Sequence, residues 1–307
     1  MRPRLQRAQT VTDAGVVLDV ETRASSSARI APILAVRALA EGEAAIRPQR
    51  KALLPLADIV SVRIAGVSAP GVLPKHCSLD DLADGLAAVL DDLGLKRVNV
   101  CGTSHGGEIA YRFAVRHPER TGRVVLTGTT GHPRDHLPLG TSPAELAARM
   151  KGPARHGMAD YVASTILCQD PALPVRGRAA LRWVIDDLVS HTDDQQIDIW
   201  IRCMELLRNA PEPTPITAPL LAVTGEHDVA SRPSECRALA ALSSPSVFAT
   251  IKEADHFVFL TRAREHLDVT RRFLLDQPLT DLPFLAALEA FPRPSTPMTP
   301  HPASPSA

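Results

Sequence analysis

Within VNVCGTSHGGEIAYRFAVRHP, residues 98–118, the chain passes from strand-forming residues into helical periodicity across Gly102, Thr103, Ser104, His105, Gly106 and Gly107. A sharp strand-to-helix turn forces its central residue into a strained backbone conformation. The flanking positions must then be small, because a side chain there collides with the neighbouring strand or helix. Gly102 and Gly106 stand at those two positions around Ser104, and Gly107 adds room. This is the pattern G-x-S-x-G in the strand–turn–helix context that gives it meaning: a serine whose hydroxyl is presented as a nucleophile. The plainer alternative is a tight turn whose serine only caps the helix that follows.

The rest of the chain repeats the strand-then-helix motif. Residues 10–23 read as two strands around an Asp-Ala-Gly turn, with alternation from Val16 to Val20. APILAV (31–36) is a short apolar run of the kind buried in a parallel sheet. A helical stretch over 43–56 follows, predicted to be short or broken by Pro48 and Pro55. DIVSVRIAG (58–66) is the next strand, and Ser78 with Asp81 forms a capping box for a helix closed by Gly94. After RVNVCG and the helix behind Ser104 comes a further strand at 123–128.

From His132 to about Pro215 the strand pattern stops, and helices over 178–191 and 194–209 are the plainest features. The sheet resumes at 218–228, followed by a helix near 232–242, a last strand at 247–256 and a helix near 262–276. Strands alternating with helices predict an α/β fold, a mostly parallel, doubly wound sheet with helices on both faces. The helical insertion after the sixth strand should lie over the carboxyl ends of the strands as a lid, where open α/β sheets bind ligands. The expected organisation is a core of 1–132 and 216–278, a lid of 133–215, and a C-terminal segment of 279–307. That segment ends in a Pro/Ser/Thr-rich tail, FPRPSTPMTPHPASPSA, expected to be disordered.

Composition excludes several classes of partner. With 34 basic and 34 acidic residues the net charge is zero, which gives no electrostatic reason to expect nucleic acid or an anionic membrane. No apolar run approaches membrane-spanning length, and the basic start MRPRLQRAQTVTD lacks the apolar stretch of a secretory signal. Five scattered cysteines fit neither a disulfide framework nor a zinc site, and point to a reducing, cytoplasmic compartment. The chain carries no metal cluster, dinucleotide loop or phosphate loop, so no cofactor and no metal are expected.

A nucleophilic serine needs a base, and the base an orienting acid. In a fold of this topology both come from the carboxyl ends of later strands, in the order Ser, then Asp or Glu, then His. Asp228 stands just past the strand in LLAVTGEHD, with Glu226 and His227 as rivals; His256 stands just past the next strand, with Asp255 beside it. Each could also be an ordinary turn or loop residue.

Taken together, VNVCGTSHGGEIAYRFAVRHPERTGRVVLTGTT, PLLAVTGEHD and EADHFVFL resemble the α/β-hydrolase superfamily in order and spacing, over residues 10–275. The resemblance implies Ser104 as nucleophile, His256 as general base and Asp228 as its orienting acid, with the His105 backbone N–H as one oxyanion donor. Two features depart from the family. Arg37 and Ala38 stand where most members carry His-Gly after the third strand, leaving the Leu39 amide as the second oxyanion donor. Arg63 stands where an Asp is common after the fourth strand. Both departures resemble a narrower group, the rhamnolipid-precursor acyltransferases, which join 3-hydroxyacyl chains taken from an acyl carrier protein.

The expected activity is therefore that of a serine esterase or thioesterase acting on a small or medium acyl substrate through an acyl-enzyme on Ser104. Transfer of hydroxyacyl chains from carrier-protein thioesters is the alternative within catalysis, and a non-catalytic ligand-binding hydrolase fold the alternative outside it. In the insertion, Trp183 and Trp200 are candidates for the apolar wall of the substrate site, against the reading that stripes at helical spacing form the insertion's own core.

Overall fold

The computed structural model describes residues 5–38, 42–131 and 142–292. A nine-stranded sheet runs through it: β1 (Leu5–Val11), β2 (Val17–Arg23), β3 (Ile33–Val36), β4 (Ile59–Ile64), β5 (Val98–Thr103), β6 (Thr121–Thr127), β7 (Leu220–Gly225), β8 (Ser246–Ile251) and β9 (Leu285–Phe291). In space the order is β1-β2-β4-β3-β5-β6-β7-β8-β9. From β4 through β8 neighbouring strands are parallel, while β2 runs antiparallel to both β1 and β4 and β9 runs antiparallel to β8.

Burial follows that order. Every residue of β3, β5 and β7 is buried, as expected of parallel strands covered on both faces. In β2, by contrast, Leu18 and Val20 point into the core while Asp19 and Glu21 do not, the alternation of a strand covered on one side. On one face, Leu82, Leu86 and Leu90 of α2 (Leu79–Asp92) and Ile109 and Phe113 of α3 (Ser104–Arg116) pack on Val62, Val100 and Val124. On the other, Leu53 of α1 (Glu43–Leu53) and Val269 and Phe273 of α10 (Ala263–Leu274) pack on Ile33, Cys101, Val125 and Leu221.

Between β6 and β7 the described chain forms four α-helices and no strand: α4 (Pro143–Met150), α5 (Met158–Ile166), α6 (Arg178–Ser190) and α7 (Asp194–Arg208). They share a cluster of their own that includes Leu146, Met158, Leu181, Ile185 and Trp200. Helix α7 belongs to two cores at once. Ile197, Trp200 and Ile201 in its first half lie in the insertion's cluster, whereas Cys203, Leu206 and Leu207 in its second half lie in the core under the sheet. Arg202, between them, donates to the carbonyls of Pro74, Lys75 and Cys77 at 3.0, 2.8 and 2.8 Å. The remaining helices, α8 (Pro233–Leu242) and the short α9 (Val258–Thr261), follow β7 and β8.

The capping box is present as expected: the Ser78 hydroxyl accepts from the Asp81 amide and the Asp81 carboxylate from the Ser78 amide. Two expectations are corrected, the end of the last parallel strand and the form of the C-terminal segment. Helix α1 is short as expected, ending at Leu53 before Pro55, with Pro48 inside it but not breaking it. A proline there removes a single ladder bond, and the apolar anchors Leu53 and Leu56, both about 1% exposed, hold the helix end on the sheet. The last parallel strand ends at Ile251, not His256. The C-terminal segment contributes β9 as an edge strand, in register from Ser246↔Phe291 to Thr250↔Ala287, with a one-residue shift before Ile251↔Leu285. Of the tail expected to be disordered, residues 293–307 lie outside the described residues, as do Leu39 and the expected junction between residues 132 and 133. Among the described residues no helix is long and apolar enough to cross a membrane.

Candidate active site

Four adjacent parallel strands, β5 to β8, deliver their carboxyl ends to one edge of the sheet. Ser104 follows β5 directly and is the first residue of α3; its φ is +50°. This left-handed conformation is costly for a residue with a side chain, about 1–3 kcal/mol, and persists only where the surroundings impose it. The imposing contact is the approach of α3 to the end of β3. A Cβ on Gly106 would sit 2.6 Å from the Val36 carbonyl oxygen and 2.7 Å from that of Arg37. With glycine there the helix starts flush against the neighbouring strand, and the chain has to turn within Ser104.

Asp228 lies three residues past the end of β7 and His256 five past the end of β8. The Ser104 hydroxyl donates to His256 Nε2 at 2.8 Å, and His256 Nδ1 donates to Asp228 Oδ2 at 3.0 Å, with Oδ1 at 3.2 Å. The Asp228 carboxylate is further held by the Thr224 hydroxyl at 2.6 Å and by the amides of Ala230 and Ser231 at 2.9 and 2.8 Å. Four groups donating to one buried carboxylate fix its orientation. The rival acids face elsewhere. Glu226 accepts from the Glu253 amide, and Asp255 from the amides of Phe257 and Cys168.

Burial alone would depress the basicity of the His256 imidazole. The charge of Asp228, the hydrogen bond to it and the charge of Asp255 outweigh burial and leave the pKa above the ordinary 6.5. A neutral ring in this arrangement has Nε2 free to accept the serine proton, and the imidazolium that results is stabilised by Asp228.

Residues with no sequence-based role complete the site. Strand β6 lies between β5 and β7, so its exit residue passes beneath the imidazole. That residue is Gly128, at φ +55°, and a Cβ there would meet His256 Cε1 at 3.1 Å and Nδ1 at 3.2 Å. Ser231 closes the floor by donating to the Gly128 carbonyl at 2.8 Å. Thr224 carried a readable signal, a hydroxyl inside the otherwise apolar LLAV strand.

The side chain of His105 is buried, neither ring nitrogen has a hydrogen-bond partner among the described residues, and burial pushes its pKa down to about 4. Burial therefore keeps the ring neutral at physiological pH. Its backbone N–H is in the first turn of α3, where amides lack intrahelical partners. Of the two tryptophans expected at the substrate wall, Trp183 is 66% exposed on α6. Trp200 is buried within the insertion's own core.

Glu108, one turn after Ser104 on α3, is a buried acid outside the hydrogen-bonded chain. Its Oε1 accepts from the Thr130 amide at 2.9 Å, which ties down the exit of β6. Burial pushes its carboxyl up to about 7 from 4.5, against the lowering effect of the Thr130 and Gly131 amides. The folded state therefore holds this proton more tightly than the unfolded chain. The stability it contributes is complete below about pH 4.5 and lost as pH rises to about 7, an effect of about 3 kcal/mol. Glu108→Gln removes that dependence. Relative to the wild type, its unfolding midpoint should rise from pH 5 to pH 8 in denaturant titrations, and a difference independent of pH would disprove the assignment.

Among the described residues no group of His, Cys, Asp and Glu is arranged to hold a metal ion. Sequence and structure comparisons agree on the type of fold. Residues 59–263 match a family described as alpha/beta hydrolase fold. A 62-residue stretch is 45% identical to a 2-hydroxy-6-oxononadienedioate/2-hydroxy-6-oxononatrienedioate hydrolase of Burkholderia vietnamiensis, covering 20% of this chain and 22% of that protein. The chain thus spans about a fifth of the length of this curated relative. A thermophilic esterase from Thermogutta terrifontis superposes with a TM-score of 0.69 at 20% identity over 88% of this chain and 98% of that one. The enol-lactonase from Burkholderia xenovorans does so with a TM-score of 0.69 at 21% identity, over 87% and 100%. At these identities the two structures speak for the fold alone.

Proposed function

The chain belongs to the alpha/beta hydrolase fold family, and on that premise we propose that it is a serine hydrolase cleaving an ester or thioester through an acyl-enzyme on Ser104. The observation that carries the reading is the unbroken hydrogen-bonded chain from the Ser104 hydroxyl through His256 to Asp228. As His256 Nε2 takes the hydroxyl proton, Oγ attacks the substrate carbonyl. The tetrahedral oxyanion is met by the His105 amide at the start of α3. Collapse of the intermediate expels the alcohol or thiol, protonated by His256, and water activated by the same imidazole releases the acid. The α4–α7 insertion acts as the lid. The names of the matched proteins, a dienedioate hydrolase, an esterase and an enol-lactonase, all denote hydrolysis. Ester and thioester carbonyls are accordingly the first substrates to examine.

The test is covalent. A fluorophosphonate probe should add once to the folded protein, at Ser104 by peptide mapping, and p-nitrophenyl acetate to octanoate and the matching acyl thioesters should be turned over. Folded protein that takes up no probe and hydrolyses none of these esters would remove the catalytic reading.

A further inference from the structure

His256 is held from both sides by residues that bind the insertion. Between α5 and α6 the chain runs without regular structure through residues 167–177, and this stretch is knitted from within by Arg178. Its guanidinium donates to the carbonyls of Cys168 at 2.6 Å, Asp170 at 2.8 Å and Leu173 at 2.7 Å. The same stretch is bolted to the loop that carries His256. The Cys168 amide donates to Asp255 Oδ2 at 3.4 Å, and the Arg176 amide donates to the Glu253 carbonyl at 2.8 Å. Arg176 Nε donates to the Glu253 carboxylate at 2.6 Å, and Arg262 reaches the same oxygen at 2.8 Å.

Asp255 immediately precedes His256 and is 1% exposed; its second oxygen accepts from the Phe257 amide at 3.2 Å, so its carboxylate spans the residue on the far side of the histidine. Phe257 stands edge-on to the imidazole, with centroids 5.9 Å apart and planes at 79°, and packs against the insertion's apolar cluster. Both chain neighbours of His256 are thus fastened to the insertion.

From this geometry we propose that residues 167–178 form a strap by which the insertion positions the imidazole of His256, with Asp255 as the positioning residue through which it acts. The hydrogen bonds of the strap end on Asp255 and Glu253 rather than on the reacting atoms. It sets the place and angle of Nε2 relative to the Ser104 hydroxyl, a geometry to which proton transfer is sharply sensitive. The inference rests on the acyl-enzyme reading above.

Two substitutions approach the strap from opposite ends. Asp255→Ala cuts the bond from Cys168 to the residue beside the histidine and leaves the Arg176–Glu253 bonds in place, and Arg178→Met loosens the strap from within. Inactivation by a fluorophosphonate, resolved into KI and kinact, should show kinact lowered about 10- to 100-fold in each variant, with KI within about twofold of the wild type. Because both act on one connection, the double variant should be no slower than the slower single. Asp255→Asn, which keeps one carbonyl oxygen for one of the two amides, should fall between wild type and Asp255→Ala.

Single variants that react at the wild-type rate overturn the proposal, as do effects that multiply in the double variant or changes confined to KI. If Asp255→Ala does not fold, Arg178→Met with Asp255→Asn makes the same comparison. Wild-type labelling at Ser104 separates the two inferences. Its absence overturns the acyl-enzyme reading and the strap with it, whereas its presence with unaffected variants overturns the strap alone.

Discussion

Ser104→Ala is expected to retain the fold and to lose about 10⁶-fold in turnover of any substrate the wild type accepts, with no adduct to a fluorophosphonate. His256→Ala should be nearly as inert, because the members of a nucleophile–base pair act as a unit and either loss removes most of the rate. The backbone supplies a second readout. Alanine at position 104 must still adopt φ near +50°, so Ser104→Ala keeps the strain of the turn. Glycine takes up that conformation freely, and Ser104→Gly should be more stable than Ser104→Ala by about 1 kcal/mol or more in denaturant titrations, though equally inactive. Equal stability of the two variants would mean that the elbow stores no strain. Retained turnover in Ser104→Ala would mean that the chemistry lies elsewhere.

Asp228→Asn is expected to lower turnover by about 10⁴-fold. The carboxylate now receives four donors, from His256, Thr224, Ala230 and Ser231, and an amide cannot satisfy all four. With its NH₂ towards the ring, the imidazole is driven to the tautomer that protonates Nε2, which is unable to take the Ser104 proton. The pH dependence gives the sign independently. The raised pKa of His256 in the fold means that the imidazolium–Asp228 pair contributes stability fully below about 6.5, and this is lost as pH rises through the folded value. The same deprotonation creates the base, so activity climbs where that stabilisation fades. In Asp228→Asn the strongest influence raising the pKa is gone, and the acid limb of the residual activity should move to lower pH. An Asn variant within tenfold of wild type, or with an unmoved acid limb, would show that Asp228 is not the partner of His256.

The residues of this site were legible because each sits where a local rule points. Continuous apolar runs mark strands buried on both faces. The glycines around Ser104 mark a turn too tight for side chains. Asp228 and His256 follow the next two apolar strands. What escaped depends on neighbours that no local pattern reveals. The composition of β9, LAALEAF, suits a helix, yet the open edge of β8 offers a ladder of unpaired backbone groups, and pairing there decides the conformation. Gly128 reads as an ordinary strand-ending glycine until the spatial order puts β6 between β5 and β7, under the imidazole. Trp183 shares the helical spacing of Trp200, but the side of a helix that faces its partners is settled by the packing of α6, and Trp183 falls on the exposed side.

The divided allegiance of α7 has a consequence for how such a protein diversifies. Were the insertion a self-contained unit joined by loops, it could be traded for another at its ends, and substrate preference would pass between lineages as a cassette. Here the dividing line falls inside a helix, between Ile201 and Cys203 around the arginine that grips the 74–77 loop. Any graft would have to preserve the phase of that helix, so that one end still completes the foundation as the other receives a new superstructure. Variation should therefore concentrate in α4 to α6, with the second half of α7 as the inherited seam.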